Sequence, residues 1–112
     1  MGEEILTGYR MMWLLTMFDL PVQTKKERRA ATKFRDFLLN QGFEMCQYSV
    51  YLRFVAGKEQ ADTFIQRISF AVPNTGSVQI LMFTDRQYEK IVSFEGGERE
   101  AAKENPDFFE LF

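Results

Sequence analysis

Histidine is absent from this 112-residue chain, and cysteine occurs once, at Cys46. The first absence removes the commonest general base and the commonest transition-metal ligand. It also excludes serine or cysteine nucleophiles that hand their proton to an imidazole. A lone thiol cannot form an internal disulfide, so nothing calls for an oxidising compartment. Cys46, set between Met45 and Gln47 in a β-rich stretch, reads as a core thiol. No phosphate loop of the GxxxxGK type is present. Long apolar runs are lacking too. The run Met11–Phe18 is too short to span a bilayer and has neither the basic leader nor the small-residue cleavage site of a secretory peptide. The expectation is a cytoplasmic protein with no membrane association.

What is present is core material. Hydrophobic residues make up 46% of the chain and aromatics 15%, enough for one well-packed domain at this length. The net charge of −2 argues against a polyanionic partner until its distribution is examined. Lys25, Lys26, Arg28, Arg29, Lys33 and Arg35 are opposed within their stretch only by Glu27, whereas carboxylates dominate from Glu95 onward. An acidic protein so divided can still present a local anion-binding face.

Residues 1–9 read as a loose leader, 10–95 as the folded domain and 96–112 as a C-terminal tail. Met11–Phe18, ended by Asp19-Leu20-Pro21, reads as a strand buried on both faces in the middle of a sheet. Thr24 with Glu27 three residues on has the spacing of a capping box. The helix it opens carries Ala30, Phe34, Phe37 and Leu38 on one stripe and stops near Gln41, where Gly42 terminates it. Phe43–Val55 is rich in strand formers but long for one strand, so a hairpin or bend is expected near Gln47–Ser49. Lys58–Phe70 reads as a second helix with Ala61, Phe64, Ile65 and Ile68 aligned. Pro73–Gly76 is a turn and Val78–Thr84 a buried strand. Asp85 caps a short helical turn, Ile91–Phe94 is a last short strand ended by Gly96-Gly97, and residues 98–105 are weakly helical. The resulting βαββαβ order is that of an α+β, ferredoxin-like sandwich, an antiparallel sheet with two helices on one face.

Three groups of residues are candidates for chemistry. Asp19, at the end of the first strand, is placed to ionise and to hold Mg²⁺, better with a second carboxylate brought across a dimer axis; otherwise it caps the turn before Pro21. Lys25, Lys26, Arg28 and Arg29 lie in the first turn of a helix, where free amides favour phosphate but the cations oppose the dipole. Either they meet nucleic acid or they are a solvated face. Gln47-Tyr48-Ser49 is a polar patch near the Asp19 loop, able to offer hydroxyls to a phosphate or simply to face water.

These residues resemble a known family. Met17-Phe18-Asp19-Leu20-Pro21, the helix through Phe34–Gln41, then Gly42-Phe43 and Gln47-Tyr48-Ser49-Val50-Tyr51, are similar to the second core CRISPR-associated protein, in particular to members that accompany type II systems. The resemblance covers about residues 10–95. It implies a ferredoxin-like fold and a homodimer formed through the sheets. A C-terminal strand, here Ile91–Phe94, would cross to the partner. It further implies a role in spacer acquisition, as a bridge between integrase dimers along double-stranded DNA, with basic residues on the backbone and no reading of base identity. Many members are described as Mg²⁺-dependent endonucleases in which the strand-end aspartate, here Asp19, binds the metal. Ser49 and Tyr51 are kept, but Met45 stands where nuclease-competent relatives often carry arginine, which removes a cation from a transition-state phosphate. The expectation is a structural DNA-binding role with nuclease activity residual. An independent Mg²⁺-dependent nuclease acting on RNA or DNA, and a ferredoxin-like regulatory module, are the alternatives; the cationic stretch speaks against the last. The apolar tail residues Phe108, Phe109, Leu111 and Phe112 are expected to dock on a partner, the integrase by resemblance.

Overall fold

A computed structural model describes residues 11–103 of the chain. The 1–9 leader and the tail residues Phe108, Phe109, Leu111 and Phe112 lie outside the described residues. Strand β1 (Met12–Asp19) is followed by helix α1 (Lys25–Asn40), strands β2 (Glu44–Gln47) and β3 (Val50–Val55), helix α2 (Lys58–Ser69), strand β4 (Ser77–Thr84), the short helix α3 (Asp85–Glu89) and a small hairpin, β5 (Phe94–Glu95) with β6 (Glu98–Arg99). The main sheet is antiparallel in the order β2-β3-β1-β4. This is the ferredoxin-like arrangement expected from the order of the elements.

Local chemistry accounts for the helix ends. Thr24 caps α1: its hydroxyl accepts from the Glu27 amide at 3.1 Å, and the Glu27 carboxylate accepts from the Thr24 and Gln23 amides, each at 2.9 Å. At the other end, Gly42 adopts φ +89°. Its amide donates to the Leu39 carbonyl while that of Phe43 donates to the Leu38 carbonyl, closing the last turn. Both helices lay their apolar stripes on one face of the sheet. Phe34 and Leu38 of α1 and Ala61, Phe64 and Ile68 of α2 pack with Met12, Leu14, Tyr51 and Val55 in a single core.

The alternation of β1 sends Met12, Leu14, Thr16 and Phe18 toward this core and Trp13, Leu15 and Met17 to the other face, while Asp19 ends the strand at the mouth of a cleft beside α1. The expectation that β1 is buried on both faces holds only at its start. Trp13 is covered by Tyr88 of α3, stacked at 4.0 Å, and its indole Nε1 donates to the buried Asp85 carboxylate at 2.7 Å. Beyond Trp13 no helix among the described residues crosses that face, and Met17 is exposed. Leu15, registered between Leu52 of β3 and Leu81 of β4, lies at the centre of an apolar sheet surface that no described helix covers.

Four local expectations are corrected. Val78–Thr84 is a strand but not a buried one: β4 has no fully buried residue, since it is an edge strand with one face unroofed among the described residues. Ile91–Phe94 is not a strand: residues 91–93 are irregular, and Phe94–Glu95 pairs instead with Glu98–Arg99 across Gly96-Gly97. The two glycines, both at positive φ, make a hairpin turn rather than a stop. Residues 98–103 accordingly contain strand β6 and irregular chain, not helix. Cys46 is exposed on β2, and not in the core, because β2 is the edge strand of the sheet and its register slips between Met45 and Gln47.

Candidate nucleic-acid interface and active-site cleft

The last residue of β1 is held from two directions. On one side, the Phe18 amide donates to the Ser49 carbonyl at 3.1 Å, tying the β2–β3 turn to the end of β1. Ser49 makes that turn with φ 64°, a left-handed conformation uncommon outside glycine. On the other, Asp19 is registered with Ser77, and the preceding Gly76 sits at φ +85° with its missing Cβ directed at the Asp19 carbonyl oxygen, 2.6 Å from where that atom would be. A side chain at residue 76 would therefore have to displace the Asp19 backbone.

Asp19 opens onto a cleft of about 650 Å³. Phe18, Leu20 and Val22 come from β1 and the loop after it; Met45, Tyr48, Ser49 and Tyr51 from the β2–β3 hairpin; Arg28, Ala31, Thr32 and Arg35 from α1. The structure thus brings together Asp19, Ser49 and Arg28 of the residues selected from the sequence. Tyr51 is buried at the base, stacked on Phe18 with ring centroids 5.7 Å apart. Burial pushes its phenol above the ordinary value, and the nearby Arg35 guanidinium pulls the other way. Tyr48 stands almost fully exposed at the rim.

The remaining cations do not form one patch. Lys25, Arg28, Arg29 and Lys33, with Thr32 and Asp36, frame a shallow hollow of about 430 Å³ on the exposed side of α1. Lys26 lies instead on a groove of about 710 Å³ floored by Phe34, Phe37 and Phe70, between α1 and the loop before β4. At the helix start the capping box uses the amides of Gln23, Thr24 and Glu27, and the Glu27 carboxylate sets a negative charge beside them.

The sequence reading counts Arg35 in the cationic stretch but does not place it with Asp19; the structure lines the same cleft with both. The signal for Arg35 is the spacing: residues 28, 31, 32 and 35 follow i, i+3, i+4, i+7 and so share one helical face. Which way that face points is a tertiary fact. Among the described residues no cluster of three or more His, Cys, Asp or Glu residues could hold a metal, and Asp19 is the sole carboxylate lining the cleft. One carboxylate and neighbouring hydroxyls suit Mg²⁺ only with ligands added by water, by substrate phosphate or by a second copy of the chain.

Comparison with known proteins places these features in a family. The family pattern described as "CRISPR associated protein Cas2" matches residues 12–91. A protein of Paracidovorax avenae named CRISPR-associated endoribonuclease Cas2 is 54% identical over 108 residues, covering 96% of this chain and all of the relative. Proteins of the same name from Parvibaculum lavamentivorans and Flavobacterium psychrophilum are each 42% identical. The first covers 90% of this chain and all of the relative. The second covers 81% of this chain and 79% of the relative.

Proposed function

The chain belongs to the CRISPR associated protein Cas2 family, and from that premise we propose that it is a homodimeric nucleic-acid-binding protein of CRISPR adaptation that bridges integrase dimers along a captured DNA duplex. The observation that carries the reading is the cationic side of α1. Lys25, Arg29 and Lys33 are exposed together on one helix, around a hollow that also holds Arg28 and Asp36, and none of the three is in an ion pair among the described residues. Unpaired cations at that spacing suit successive phosphates of a backbone, giving affinity without reading of sequence. The dimer is supported by the uncovered sheet face. Leu15, Met17, Val50, Leu52 and Leu81 make a contiguous apolar surface that a second copy would bury by an isologous, two-fold contact.

Duplex binding titrated against salt tests the reading, together with light scattering of the protein alone and with its neighbouring integrase. A dimer, a steep salt dependence and a joint complex are expected. A stable monomer that ignores duplex DNA at low salt would end it.

A second reading is favoured by the Asp19 cleft and by the relatives' name, endoribonuclease: Mg²⁺-dependent cleavage of a phosphodiester. Asp19 would hold the ion, with Ser49 and substrate oxygens beside it; Mg²⁺, when bound, polarises a phosphoryl oxygen. Asp19→Ala is expected to abolish Mg²⁺-dependent cleavage while leaving duplex binding nearly intact. Undiminished cleavage by purified Asp19→Ala would reduce Asp19 to a turn cap.

A further inference from the structure

We propose that Arg35 is a phosphate-binding residue of the Asp19 cleft, and that it holds one phosphodiester group of a nucleic-acid backbone there without any metal. The inference rests on the nucleic-acid-binding reading above and assigns that reading a contact outside the exposed cationic face of α1.

Two guanidiniums line the cleft, and they are not equivalent. Arg28 is committed: its Nη1 donates to the carbonyls of Val22 and Gln23, at 3.2 and 3.1 Å. It braces the loop between β1 and α1 and so shapes the rim. Arg35, two turns further along the same face, has no hydrogen bond or ion pair among the described residues. Between them stand Ala31 and Thr32, whose small side chains leave the helix wall open. Arg35 therefore faces the cleft with its donor fork free.

Charge completes the argument. Among the residues lining the cleft, Asp19 carries one negative charge and Arg28 and Arg35 two positive ones, an excess of one positive charge, with Asp36 acting on Tyr51 from outside the lining. That balance accepts a singly charged phosphodiester with no ion added. Guanidinium geometry matches two phosphate oxygens at once, which an ammonium does not. Thr32 and Ser49 line the same cleft, one from α1 and the other from the β2–β3 turn, and each has a hydroxyl to offer. Phosphate held by Arg35 would lie beside Asp19, so binding and any metal-dependent cleavage are separable steps at one place.

The test uses the full-length protein, a short fluorescein-labelled DNA duplex and buffer containing EDTA. Wild-type protein is expected to bind. Arg35→Ala, a change to a good helix former at an exposed position, is expected to keep the wild-type melting temperature and bind about tenfold more weakly. Its salt slope should be shallower by about one unit. Arg35→Lys should recover the salt slope but only part of the affinity, a split that a merely structural role would not produce. Unchanged affinity and slope in Arg35→Ala, with wild type binding, would overturn the assignment and leave the nucleic-acid reading standing. Binding by wild type only when Mg²⁺ is supplied would overturn the metal-free part. No binding by wild type under any condition would overturn both.

Discussion

The two faces of the main sheet are built from the same strands, residue by alternating residue, yet they differ in what covers them. On one, Leu14, Tyr51 and Val55 meet Phe34, Leu38 and Ile68, all at 2% exposure or less. On the other, only the end at Trp13 is roofed, by α3, and Leu81 remains 51% exposed. The covered face is a finished core whose contacts are local to one chain. The bare face has the same chemistry, but no helix among the described residues covers it beyond Trp13. If a second copy covers it, as proposed above, stability and assembly fall on opposite sides of β1, and changes on the two sides should be separable.

The largest effect is expected on the covered face. Phe34→Ala should cost about 3–5 kcal/mol in chemical denaturation, through lost burial and the cavity left behind. For a domain this small that removes much of the folding free energy. A loss under 1 kcal/mol would mean the helix layer is not what holds the sheet. Next in size is Leu81→Glu on the bare face. It should leave monomer stability within about 0.5 kcal/mol while weakening self-association by about 3 kcal/mol, read by sedimentation equilibrium. Should the variant remain as dimeric as the parent, copies meet elsewhere.

The roofed end of the bare face gives a third, smaller effect. Asp85→Ala leaves the Trp13 indole N–H buried without its acceptor and should cost about 2 kcal/mol, with a change in tryptophan fluorescence as α3 loosens. An unaltered spectrum and unaltered stability would show that stacking by Tyr88 alone holds the indole. The smallest effect is a gain. Thr16 is fully buried on the covered face, and its hydroxyl has no partner among the described residues. Thr16→Val should raise stability by about 1 kcal/mol, since a buried unsatisfied hydroxyl is replaced by a methyl. Destabilisation would reveal a partner for that hydroxyl in solution.

Much of the fold was legible because its signals are local. Thr24 and Glu27 mark the start of α1 through contacts three residues apart, and Gly42 marks its end through a backbone conformation that favours glycine. The apolar stripes of both helices follow from the 3.6-residue period. What escaped is what depends on neighbours brought from far away. The apolar run of β1 reads as buried on both faces whether its cover is a helix of its own chain or a partner. Cys46 has a strand-forming context but lies at an edge, and edge position is a property of strand order. Gly96-Gly97 reads as a stop or as a hairpin until the segment after it is seen to pair. In the cleft, Asp19 and Ser49 could be chosen by residue type and position. Seeing that Arg28 borders both the cleft and the hollow of Lys25, Arg29 and Lys33, while Arg35 lines the cleft, required knowing which side of the helix meets β1.

The strand order has a consequence for synthesis. β1 is made first, but one of its edges waits for β3 and the other for β4, which arrives only with residues 77–84. As the chain leaves the ribosome, β1, α1, β2, β3 and α2 can assemble into a half-built sheet whose apolar central strand is still open along one side. At about 5–20 residues per second the missing strand is only seconds away, short enough for the chain to complete itself before the open edge meets another. A translational pause before β4 would lengthen that interval. Chains stalled there would carry, for as long as the stall lasts, an unpaired apolar strand edge next to an unroofed apolar face, and aggregation should rise with the length of the pause.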